Sequence, residues 1–118
     1  MKYSKKQKIL LWILQIAAAG ILLQSLFFKF TGASESIEIF SKLGVEPWGR
    51  YLVGTIELIT SILLLSGRFS MIGAILGAMI MIGAITSHIL VLGISDLFYL
   101  AIIELVLCLT IILMKKIK

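Results

Sequence analysis

The lengths of the apolar runs restrict this chain more than anything else in it. Ile9 to Phe28 is nearly unbroken hydrocarbon over the ~20 residues that a membrane-crossing helix needs, and similar runs follow at about 48–65, 71–92 and 97–114. Hydrophobic residues make up 60% of the 118, charged residues 14%, and the mean hydropathy is +1.12, all outside the range of a water-soluble domain. The expected fold is all-α: one membrane domain over 1–118, a four-transmembrane-helix antiparallel bundle. The polar stretch from Phe30 to Glu46 separates the first two spans. Within it, Ser36 to Leu43 is expected to form a short amphipathic helix, with Ile37, Phe40 and Leu43 near one face. Ala17-Ala18-Ala19-Gly20 behind a basic start also has the form of a signal-peptide cleavage region. The apolar run continues through Leu26-Phe27-Phe28, which favours an intact span.

The net charge of +5 does not mark a nucleic-acid binder, because the basic residues crowd into Lys2, Lys5, Lys6 and Lys8 at one end and Lys115, Lys116 and Lys118 at the other. Flanking apolar runs, they suit anionic lipid headgroups. Four spans put both termini on one side. The lysines and Arg68 make that side cytoplasmic, in a bacterial inner membrane. Glu35, Glu38, Glu46 and Asp96 then fall in the two outer connections. Phe27, Phe28, Trp48, Tyr51, Phe98 and Tyr99 gather near the outer boundary as an aromatic belt. Cys108 is the only cysteine, which removes internal disulfides and Cys-x-x-Cys thiol exchange.

Against this background the ionisable residues inside the spans need a reason. With Pro47 in the first turn of the second span, Arg50, Gly54, Glu57 and Ser61 recur every three or four residues and form a polar stripe in an apolar coat. Gln15, Ala18, Leu22, Ser25 and Lys29 share a face of the first span. Gly73, Gly77, Met81, Ala84 and His88 share one of the third, a small-xxx-small pattern for close packing within the chain or in a homodimer. Ala101, Glu104 and Cys108 share one of the fourth. At ~1.5 Å per residue, Lys29 and Arg50 lie at outer ends, His88 about a turn inward, and Glu57 and Glu104 nearer the middle. An ionisable group at the centre of a span costs roughly 2.5–3.5 kcal/mol. Lys29, Arg50, Glu57, His88 and Glu104 are therefore expected to converge inside the bundle, with Lys29 or Arg50 on Glu57, and His88 on Glu104. Such a cluster either fixes helix register as a structural ion pair or binds a ligand or proton. A second histidine, HxxxH and HxxE are all missing, so no metal site is expected, and no catalytic residue is assigned.

These residues also resemble a family. Phe28-Lys29-Phe30-Thr31-Gly32, the run from Phe40 through Leu43-Gly-Val-Glu-Pro-Trp48, Tyr51-Leu-Val-Gly54, Ile56-Glu57-Leu58, Leu63-Leu-Leu65, Ile72-Gly-Ala74 and Gly83-Ala-Ile-Thr-Ser-His88 are similar to the DoxX-like integral membrane proteins. The resemblance covers about 27–88 and implies a four-helix membrane bundle. It marks Lys29, Gly32, Gly44, Pro47, Gly54, Glu57 and His88 as family positions. Glu104 is not carried over, because the fourth span matches only as a hydrophobic run. The family name comes from a subunit of a sulfur-compound:quinone oxidoreductase, and other members look like accessory or assembly factors.

Three functions follow from the sequence. The leading one is a non-enzymatic membrane module in which a small amphiphilic ligand, or a membrane protein partner, docks against the outer-half polar cluster. The second is a quinone-linked oxidoreductase component, with His88 and a carboxyl group on the quinone oxygens. A quinone is thus the one cofactor left open, and electrons would have to come from a partner. The third is a small proton-coupled exporter, although the first span carries Gln15 and Gln24 where that class has a glutamate.

Overall fold

A computed structural model describes residues 3–116; Lys2 and Lys118 of the basic ends lie outside the described residues. The chain folds as α1 (Lys5–Thr31), α2 (Ser34–Lys42), α3 (Trp48–Leu65), α4 (Ser70–Ser87), a π-helical segment (His88–Leu92) continuing α4, and α5 (Asp96–Lys116). There is no strand among the described residues. Four helical stretches, Lys5–Thr31, Trp48–Leu65, Ser70–Leu92 and Asp96–Lys116, are long and apolar enough to cross a membrane. A helix satisfies its own backbone polar groups, which is what hydrocarbon demands of a spanning segment.

The helix ends follow local chemistry. α1 starts before its apolar run because Ser4 and Gln7 form a reciprocal capping box: the Gln7 N–H donates to Ser4 Oγ and the Ser4 N–H to Gln7 Oε1. The basic residues Lys5, Lys6 and Lys8 are thereby drawn into the helix. It stops at Gly32, whose φ of 71° gives a left-handed C-terminal cap, its N–H returning to Phe28 O. Pro47 stands just outside α3 and not in its first turn; its carbonyl accepts the Tyr51 N–H at 3.2 Å. Two residues that carry less apolar character than the expected Ser36 start, Ser34 and Glu35, extend α2 at its N-terminus, where a glutamate suits the helix dipole.

The four long helices form a ring in which α1 packs on α3 and α5, and α4 on α3 and α5. The expected faces point inward: Gln15, Ala18 and Leu22 of α1, the Arg50–Gly54–Glu57–Ser61 stripe of α3, Gly73, Gly77 and Met81 of α4, and Ala101, Glu104 and Cys108 of α5 are all buried. Side chains such as Ile13, Ile62, Met79 and Leu113 stay more than half exposed and make a continuous apolar coat suited to a bilayer. Two devices draw the helices close. Gln15 Nε2 of α1 donates to Leu64 O of the neighbouring α3 at 2.9 Å, occupying a carbonyl at the end of that helix. A Cβ on Gly73 would lie 2.8 Å from the Leu64 backbone nitrogen, and one on Gly77 2.7 Å from Cys108 Sγ. The small-residue face of α4 is thus used inside the chain.

Candidate functional site

At the end of the ring where α2 crosses, the helices part around a cavity of about 490 Å³. Ser25, Phe28 and Lys29 of α1, Val53, Ile56 and Glu57 of α3, Met79, Met81 and Gly83 of α4, His88, and Leu97, Leu100 and Ala101 of α5 line it. Ile39 and Phe40 of α2, with Leu43 just after it, border the cavity at this end. α2 reaches this position between Gly32 and Gly44, both at positive φ (71° and 78°), which only glycine adopts at low cost. The walls are mostly hydrocarbon, with two polar centres.

The first centre joins α1 to α3. Lys29 Nζ lies 3.2 Å from Glu57 Oε1 and 3.5 Å from Oε2. The same ammonium donates to Ser25 Oγ, and the Ser25 hydroxyl donates to Glu57 Oε2 at 3.3 Å. Spacing of four residues on α1 puts Ser25 and Lys29 one above the other, and the α3 stripe brings Glu57 to meet them. The Glu57 side chain is 3% exposed and that of Lys29 15%. Oε1 touches the ammonium only as an ion contact: it is buried and receives no hydrogen bond among the described residues.

The second centre is His88, at the first position of the π-helical segment and 7% exposed. The wider turn brings Gly93 back to it: the Gly93 N–H donates to His88 O at 2.7 Å, and His88 Nδ1 lies 3.1 Å from Gly93 O. Phe98 of α5 meets the ring edge-on, centroids 6.0 Å apart. π-turns within helices recur at functional sites. This one holds a histidine on a cavity wall.

The five expected residues therefore separate into groups. Lys29, Glu57 and His88 line one cavity. Arg50 pairs with Glu46 four residues earlier and not with Glu57: Nε and Nη2 reach the carboxylate at 2.8–3.1 Å, Nη1 donates to Lys29 O, and the guanidinium lies 4.5 Å over the Tyr51 ring. It clamps the start of α3 to the end of α1. The hydrogen bonds from Arg50 hold the Glu46 carboxyl below the usual glutamate range. Glu104 does not meet His88. It is fully buried one layer deeper, and the Cys108 thiol donates to its Oε2 at 3.8 Å. The histidine was drawn away by the Gly93 carbonyl, which the π-turn carries back over the ring. No group of three or more metal-ligating side chains forms among the described residues.

Sequence reasoning left three participants out of the site. Ser25 sits four residues before Lys29, and Glu46 four before Arg50, so both spacings were visible signals. Gly93 had none, since a π-turn breaks the period by which faces are read.

A model of the DoxX-like family matches residues 13–113, nearly the whole of the chain. No curated protein and no solved structure matches it.

Proposed function

The chain belongs to the DoxX-like family, and from that premise we propose that this multi-pass membrane protein is a binding module for a small amphiphile. The observation that carries the proposal is the cavity: about 490 Å³, mostly apolar, with the Lys29–Glu57 pair and His88 on its wall. That combination of volume, hydrocarbon lining and a few convergent polar groups is typical of small-molecule sites. The ligand's chain lies along Phe28, Val53, Ile56 and Leu100, and its polar head meets Lys29, Glu57 and His88. The α2 end faces away from the cytosol, because Lys5, Lys6, Lys8, Arg68, Lys115 and Lys116 lie at the opposite end of the bundle, which the loop-charge rule assigns to the cytoplasmic side of a bacterial inner membrane.

The methionines test it directly. Met79 and Met81 line the cavity, whereas Met71 and Met114 do not. With methyl-labelled methionine in detergent, ten-carbon alcohols and hydrocarbons shift the resonance of the buried Met81 methyl and leave Met71 and Met114 in place. A side chain at Gly83 meets nothing within 4 Å of its Cβ, so Gly83→Leu adds bulk to the wall without displacing a neighbour and weakens the response about tenfold, or ~1.4 kcal/mol. Equal shifts at Met71, Met81 and Met114, unchanged by Gly83→Leu, would overturn the proposal.

A further inference from the structure

Two polar groups on the lining of this cavity, His88 and Glu57, present open acceptors. A carbonyl oxygen can only accept, so the 3.1 Å contact between His88 Nδ1 and Gly93 O requires that Nδ1 carry the proton. In the neutral ring Nε2 is then an acceptor, and it has no donor among the described residues. Glu57 Oε1, on the same lining, is buried and receives no hydrogen bond among those residues. Lys29, by contrast, already directs its ammonium to Ser25 and to Glu57. Two open acceptors on one lining, the Glu57 oxygen fully buried, call for a donor, because an acceptor shut away from water and left unmet is costly. The Glu57 charge is balanced by Lys29 at 3.2 Å, and Glu35, the other carboxylate on the lining, is exposed on α2. A neutral donor therefore suits the wall better than a cation.

Resting on the binding role proposed above, we infer that the cavity selects its amphiphile by a hydroxyl group, an alcohol or a phenol, whose one O–H donates to His88 Nε2. Ethers, ketones and quinone carbonyls only accept, and they do not complete this pattern.

The chain has one histidine, so a histidine-labelled sample reports His88 without assignment. Two isomeric probes of equal size, 1-decanol and methyl nonyl ether, are titrated into the intact protein in detergent. Ring ¹⁵N resonances and the Met81 methyl are recorded together. The free protein shows Nδ1 protonated and Nε2 bare. 1-Decanol moves the Nε2 resonance towards the hydrogen-bonded value and binds about three- to tenfold more tightly than the ether, the worth of one hydrogen bond. His88→Phe abolishes most of that preference while the Met81 methyl still responds to both probes. Equal affinity for the two isomers with Nε2 unmoved, or a proton on Nε2 in the free protein, overturns the hydroxyl selection and leaves the binding module standing. Silence of Met81 towards both isomers overturns the binding module and the selection with it.

Discussion

Removing Lys29 is more damaging than neutralising its partner, and the asymmetry comes from where each group can go. In Lys29→Met the Glu57 carboxylate keeps only the Ser25 hydroxyl at 3.3 Å, with its side chain 3% exposed and far from any helix end. Stranding one partner of a buried pair costs about 3–5 kcal/mol; the retained serine bond puts this case near the lower figure. In Glu57→Gln the stranded group is an ammonium in the last turn of α1, already 15% exposed. Its stem can carry it to the headgroup region, and the new amide oxygen still accepts from Ser25. The loss is then about 1 kcal/mol. A difference of about 2 kcal/mol is roughly thirtyfold in the unfolding equilibrium constant. It is measurable by unfolding the protein with SDS in mixed micelles and following far-UV circular dichroism. Lys29→Met combined with Glu57→Gln recovers part of the single loss, since no buried charge remains. Equal costs for the two single variants, or a double variant as unstable as their sum, would refute the idea that Glu57 depends on Lys29.

Glu46 makes the fold acid-sensitive in a defined direction. Its carboxyl is held below the ~4.3 of a free glutamate by hydrogen bonds from Arg50, so the stability it contributes is complete above the unfolded value and is lost as pH falls through the lower folded value. A carboxyl-carbon NMR titration gives a Glu46 midpoint below that reference, and Glu46→Gln is less stable than wild type at neutral pH but converges with it in acid; parallel acid curves for the two proteins count against the clamp. On α4, Gly77→Ala forces its methyl to 2.7 Å from Cys108 Sγ and costs about 1–3 kcal/mol by overpacking, most of which Cys108→Ala restores by removing that sulfur. Gly73→Ala meets the Leu64 backbone nitrogen at 2.8 Å and the Leu63 Cβ at 2.9 Å, so Cys108→Ala does not rescue it; thermal melts of the four proteins in one detergent separate the two cases.

Much of this architecture is written locally. Four long apolar runs commit the chain to four long helices, and the three- and four-residue spacing of Arg50, Gly54, Glu57 and Ser61 commits one face of α3 to the interior, because lipid cannot solvate what a bundle can. The same periodicity brought Lys29 and Glu57 to one another from adjacent helices in the ring. It could not choose among partners that were all within reach by depth. Arg50 took Glu46, a neighbour one turn away, and left Glu57 to Lys29. His88 took the carbonyl of Gly93 because a π-turn changes the phase of the helix just where the sequence pattern assumes it constant, and Glu104 was left a layer below with Cys108. Amphipathicity made α2 a helix in the connection, but its place beside the cavity comes from two glycines at positive φ and from the helices that diverge there. Sequence alone decided which side chains must leave the lipid, since that is a matter of solvation and helical period. Which of them meet, which acceptors stay unpaired and how much space lies between them depended on the packing of whole helices, where distances are set by all the contacts at once.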